Sequence, residues 1–143
     1  MDLLTDSLRA ALRANAEAAR QARHDPAPVV KFFNPCGAAT WLATELDADG
    51  DTLFGLADLG FGCPELGSFS LSEIASVRLP FGLGIERDLF FSTTHPLSKW
   101  AEAARQAGSI LAAERLLGSA DGSASPEGGE SGTELPDPDA GSS

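Results

Sequence analysis

Tyrosine is absent from this 143-residue chain, which has one methionine, two histidines, two cysteines and only ten Lys and Arg residues against 21 Asp and Glu. No apolar run approaches the ~20 residues of a membrane-crossing helix, which excludes a transmembrane protein. Cys36 and Cys63 form no CxxC, and His24 and His95 are their only possible companions. That is too sparse for zinc, so neither a metal nor a cofactor is expected, and the thiols read as reduced and structural. No Gly-x-Ser-x-Gly elbow and no phosphate-binding glycine loop occurs. Met1-Asp2-Leu3-Leu4-Thr5-Asp6 carries acids where a signal peptide carries bases, so the expected location is the cytoplasm.

The few bases are also unevenly placed. All ten lie in residues 1–117, which carry a net −5; residues 118–143 carry −6 and no base, for a total of −11. A negative globule repels the phosphate backbone, so nucleic acid is not the expected partner. The segment 118–143 is Gly, Ser, Pro, Asp and Glu with one large apolar residue, Leu135, and is expected to form a disordered acidic tail.

What remains reads as one domain with helical ends. Leu4, Leu8, Leu12 and Ala18 give a helical stripe within residues 1–25, weakening after Leu12 so that the second half is free to project, and Pro26 and Pro28 stop it. Residues 29–98 are β-rich. Val29–Phe33 is a strand, and Trp41–Ala48 and Asp51–Asp58 flank Asp49-Gly50, the favoured pair of a two-residue hairpin turn. Closing it there pairs Glu45 with Phe54 and Ala43 with Leu56. Ser70 and Glu73 fit a capping box opening a short helix. Ile85–Phe91 alternates as a strand, and residues 97–117 make a second long helix, weakest at Gly108 and capped by Thr94 or Ser98. The fold class is α+β: a small, mainly antiparallel sheet with the N- and C-terminal helices packed on or beside it.

Three groups of residues could carry function. Asp47-Ala48-Asp49-Gly50-Asp51 misplaces its glycine for a calcium loop and reads as a hairpin turn. Glu86-Arg87-Asp88 puts two acids on one strand face and Arg87 among Ile85, Leu89 and Phe91 on the other. A guanidinium there needs a carboxylate or carbonyls, with Glu45, Glu65 and Glu73 as candidate mates in a structural ion pair. The catalytic alternative uses Glu86 and Asp88, with Glu45 and a divalent metal, for acid–base work. Phe81, between Pro80 and Gly82 in a loop, and Leu83 nearby form an apolar binding element; Asp49 and Asp51 are the acidic binding candidates.

Lys31-Phe32-Phe33-Asn34-Pro35, Trp41-Leu42-Ala43-Thr44-Glu45, Leu53-Phe54-Gly55-Leu56, Glu65–Glu73 and Gly82–Leu89, in that order, resemble an uncharacterised bacterial family known only as a domain of unknown function. The resemblance covers about residues 29–98, leaves both long helices outside it, and implies a setting on plasmids and other mobile elements. The family usually has an aromatic residue at Leu42, Gly at Leu79 and Pro at Gly84. It implies no activity, cofactor or catalytic residue. The expected function is therefore a non-enzymatic protein-binding or accessory factor. A small carboxylate enzyme is the first alternative and a single-strand nucleic-acid binder the second.

Overall fold

The computed structural model describes residues 2–122. Five antiparallel strands form one sheet in the order β4-β3-β2-β1-β5: β1 (Val30–Phe33), β2 (Thr40–Leu46), β3 (Thr52–Asp58), β4 (Glu65–Ser70) and β5 (Glu86–Arg87). Helix α1 (Asp6–Gln21) covers one face, and α3 (Leu97–Ala107) with α4 (Ile110–Gly122) covers the other; the short α2 (Leu71–Ser76) follows β4. The α+β class, with the terminal helices packed on the sheet, agrees with the sequence. Among the described residues no helix is long and apolar enough to cross a membrane.

Each face has its own core. Leu12 meets Val30, Phe32, Trp41, Ala43, Leu46 and Leu53 under α1. Leu42 and Leu56 meet Trp100, Ala104, Ile110 and Ala113 under α3 and α4. Glu45 pairs with Phe54 as expected, but the register then slips between Ala43 and Glu45, so Ala43 faces Gly55 and Leu42 faces Leu56. A β-bulge at Thr44 is the cause: one extra residue reverses which face the following side chains meet. Trp41, Ala43, Leu46 and Leu53 thus share the α1 face. The freed Thr44 carbonyl accepts from Asn15 Nδ2 at 2.9 Å, and the Leu46 carbonyl from Arg13 at 2.7 Å. Those two bonds hold the second half of α1 to β2 where the weakening stripe left it free to project.

The β2–β3 turn is longer than two residues. Asp47 N–H donates to the Thr52 carbonyl, and Gly50 takes a left-handed φ of 74°. The Asp49 carboxylate accepts from Asp51 N, Thr52 N and Thr52 Oγ1, an Asx-type turn that competes with the tighter hairpin. Asp51 in turn accepts from Ser70 Oγ and Ser72 N, tying the hairpin to the start of α2, where Ser70 caps Glu73 N as expected.

The C-terminal helix breaks at its anticipated weak point: Gly108 adopts φ 88°, and α4 starts two residues later. The N-cap position of α3 falls to Pro96, whose side chain makes no capping hydrogen bond, and Ser98 lies inside the helix. Asp25, from the α1–β1 connection, accepts from Ser98 N and Ser98 Oγ. Asp58, fully buried, accepts from Gly60 N and from Ile110 N at 2.8 Å, placing a carboxylate at the N-terminus of α4. Helix α4 runs through Gly118 to Gly122, past the expected start of the tail; the rest of that tail lies outside the described residues.

Gly55 tests the central pairing. A Cβ there would sit 1.8 Å from the Leu42 carbonyl oxygen, which is main chain and cannot swing away. Gly55→Ala is expected to destabilise the chain by about 3 kcal/mol, read from denaturant unfolding with an unchanged m-value.

Candidate binding surface along β5

Strand β5 is a sheet edge of two residues, paired with β1 through Phe32–Arg87 and Phe33–Glu86. The expected strand to Phe91 stops early. Asp88 accepts from Phe90 N, Phe91 N–H donates to the Asp88 carbonyl, and the turned chain delivers Phe91 to Trp100 on the α3 face. The two sides of β5 then do different work.

On the α1 side, Arg87 Nη1 donates to the carbonyls of Leu3 at 2.9 Å and Asp2 at 3.3 Å. The expected ion pair with Glu45, Glu65 or Glu73 is therefore corrected. Residues 2–4 precede α1 and lie outside the ladder, so their carbonyls need donors, and Arg87 supplies them. Glu65 stands on the far edge strand, Glu73 is exposed on α2, and Glu45 is at the opposite end of β2.

On the α4 side, Lys31 is the buried ion. Its Nζ reaches Glu114 Oε1 and Oε2 at 2.8 and 2.9 Å and Asp88 Oδ2 at 3.5 Å. Its side chain is 8% exposed, against 25% for Asp88 and 33% for Glu114. The ring of Phe33 lies 6.0 Å away. The sequence reading missed this cluster; its signal was a lone lysine inside the apolar run Val29–Phe33.

A cleft of about 460 Å³ opens over the cluster, bounded by Phe33, Asn34, Thr40, Glu86, Phe90 and Leu111. Glu86 and Asp88 both line it, but Asp88 is held by Lys31. Glu45 does not join them. It stands five residues along β2 from Thr40, which pairs with the Phe33 beside Glu86, or about 16 Å of strand. Glu45 lines a separate cavity of about 410 Å³ with Arg13, Arg20, Asp47 and Asp49. Burial pushes its carboxyl up, with His24 opposing and Asp47 adding to the effect. Among the described residues no group of three or more His, Cys, Asp and Glu is placed to hold a metal ion. Cys36 and Cys63 are free and exposed.

The chain on either side of β5 exposes apolar side chains. Phe81 is 95% exposed and Phe90 93%, with Leu89 and Leu83 also exposed. Phe81 sits in a single 3₁₀ turn, Pro80–Gly82, at φ 65° and ψ 24°. That left-handed conformation costs a residue with a Cβ roughly 1–2 kcal/mol. Asp49 and Asp51 stand elsewhere, at the β2–β3 turn. Both carboxyls are held below their ordinary value by the donors around them, Thr52 and Asp51 for Asp49, Ser70 and Ser72 for Asp51.

Residues 3–111 match the model of a family described as a protein of unknown function, DUF2958, and the chain belongs to that family. The match extends past the motifs of residues 29–98 to take in α1 and α3. No curated protein and no solved structure matches the chain.

Two stability measurements follow from this geometry. Glu114→Ala leaves Lys31 with Asp88 alone and is expected to cost about 2 kcal/mol, below the 3–5 of a fully buried pair because Glu114 is partly solvated. Lys31→Met combined with Glu114→Leu is expected to restore the wild-type midpoint to within about 1 kcal/mol, since no cation is then left buried. Acid unfolding checks the turn carboxylates. Lowered pKa values mean that their contribution is complete above the unfolded-state value and lost as pH falls through the folded-state one. Asp51→Asn is therefore expected to flatten the acid limb of stability against pH below the ordinary carboxylate range.

Proposed function

We propose that this chain is a non-enzymatic binding protein that engages a protein partner through the rim of β5, with Phe81 and Phe90 as anchors and Leu83 and Leu89 beside them. The observation carrying this reading is that Phe81 and Phe90, on the chain before and after β5, are both almost fully exposed, Phe81 at the tip of a tight turn closed by the Leu83 amide on the Pro80 carbonyl. Buried aromatic anchors dominate binding energy at protein interfaces, and backbone strain concentrates where loops meet ligands. The resemblance in the motifs adds a setting on mobile genetic elements. Asp49 and Asp51 serve the turn and α2, so they contribute to the acidic surface without acting as the anchors.

The carboxylate-enzyme alternative draws less support. Asp88 is paired with Lys31, and Glu45 belongs to another cavity. Single-strand nucleic acid is disfavoured by the same rim, where Glu86 and Asp88 lie between the two phenylalanines.

Phe81→Ser with Phe90→Ser is expected to leave the unfolding midpoint within about 0.5 kcal/mol of wild type, because neither ring is packed. In affinity capture from the host lysate, the full-length wild-type chain is expected to retain a protein that the double variant loses and that Glu86→Gln keeps. Identical captured sets from wild type and double variant would contradict the reading.

A further inference from the structure

We infer that β4 is a self-association edge, pairing antiparallel with β4 of a second copy of this chain to continue the sheet across a two-fold axis. This edge lies at the far side of the sheet from β5 and does not depend on the β5 rim.

The backbone parity comes first. Leu71 N–H donates to the Asp51 carbonyl in register with the β3–β4 ladder, so the odd-numbered residues of β4 turn their main-chain groups toward β3. The even-numbered ones, Leu66, Ser68 and Ser70, turn theirs outward. β4 is the last strand in the sheet order, so no strand among the described residues pairs with that side. A six-residue edge with outward donors and acceptors is a template for a further strand, and natural edges are usually blunted by Lys, Pro or a bulge. Between Glu65 and Ser70 there is no Lys, no Pro and no register shift.

The side chains then select the occupant. With Ser68 facing Ser68 across the axis, outward residues meet outward residues: Leu66 opposes Ser70 and Ser70 opposes Leu66, as an antiparallel ladder requires. Gly67 then falls opposite Phe69 of the second copy, in a non-hydrogen-bonded pair where side chains approach closely, and Phe69, packed on one side against its own α1-face core, offers the part of its ring that stays exposed. An aromatic ring laid over an edge glycine is a known means of stabilising it. Gly67 otherwise lacks a reason in its own chain: an added Cβ would meet no atom within 4 Å, and its φ is not positive. Glu65, the only charge in β4, falls opposite Leu71, so no like charges face each other in this register. The overall charge of −11 still makes two copies repel, and salt screening is expected to favour the pairing.

Sedimentation velocity on the full-length chain over a concentration series tests this, with hydrogen exchange read at the Leu66 and Ser68 amides. The expected result is a monomer–dimer equilibrium that shifts toward dimer with added salt, the two amides becoming protected as dimer forms. Ser68→Pro removes an outward N–H that the monomer does not use, and Ser68→Glu sets two carboxylates face to face across the axis. Each is expected to leave only monomer at concentrations where wild type is dimeric, and the second decides the matter should the first fail to fold. A wild-type chain that stays monomeric throughout, or a dimer that survives Ser68→Glu with both amides still protected, overturns the inference.

Discussion

Among the described residues, Lys31 is the one cation taken almost wholly out of water, and the arrangement around β5 depends on how it is neutralised. The lysine comes from β1, Asp88 from the turn after β5, and Glu114 from α4. Three segments far apart in the chain therefore meet at one ammonium group. An uncompensated charge at this depth would cost several kcal/mol, so β1 can hold its place in the sheet only while α4 lies across it. Asp58 acts in the same direction from the end of β3, two strands away, fixing the first turn of α4 through the Ile110 amide. Two carboxylates thus anchor α4 and a third, Asp25, holds the start of α3, with Trp100, Ile110 and Ala113 sealed beneath the pair.

The opposite face relies on a different device. There the bulge at Thr44 leaves a carbonyl outside the ladder, and α1 answers it with Asn15 while Arg13 closes the end of β2. Arg87 does the same for the segment before α1. Arg13, Asn15 and Arg87 are thus all spent on main-chain carbonyls. Around β5 itself, Lys31, Arg87 and Asp88 all have partners inside the chain.

The elements that announced themselves in sequence did so through local chemistry. The Ser70 cap, the break at Gly108, the Glu45–Phe54 pairing and the exposure of the Phe81 loop all depend on a few adjacent residues. What sequence could not supply was set by contacts over long separations. A bulge leaves no composition signature, so the Ala43–Leu56 pairing that a regular hairpin implies gives way to Ala43–Gly55. The shortness of β5 arises because Phe91 packs on Trp100, and the cap of α3 comes from Asp25, 73 residues before Ser98. Arg87 was placed on the correct side of its strand, yet its acceptors were carbonyls of a segment 84 residues away that no pattern links to it.

The central claim is that Lys31 is an internal structural cation, closed off by Glu114 and Asp88 and not available for chemistry. A nitrogen-detected or heteronuclear NMR spectrum of the lysine ammonium groups near neutral pH tests it most directly, since the only other lysine is the exposed Lys99. The account predicts one slowly exchanging Nζ resonance from Lys31, with its protons correlated to the Glu114 carboxylate. Rapid solvent exchange at both lysines, or a Lys31 amine that reacts with an acylating reagent as fast as Lys99 does, would contradict it.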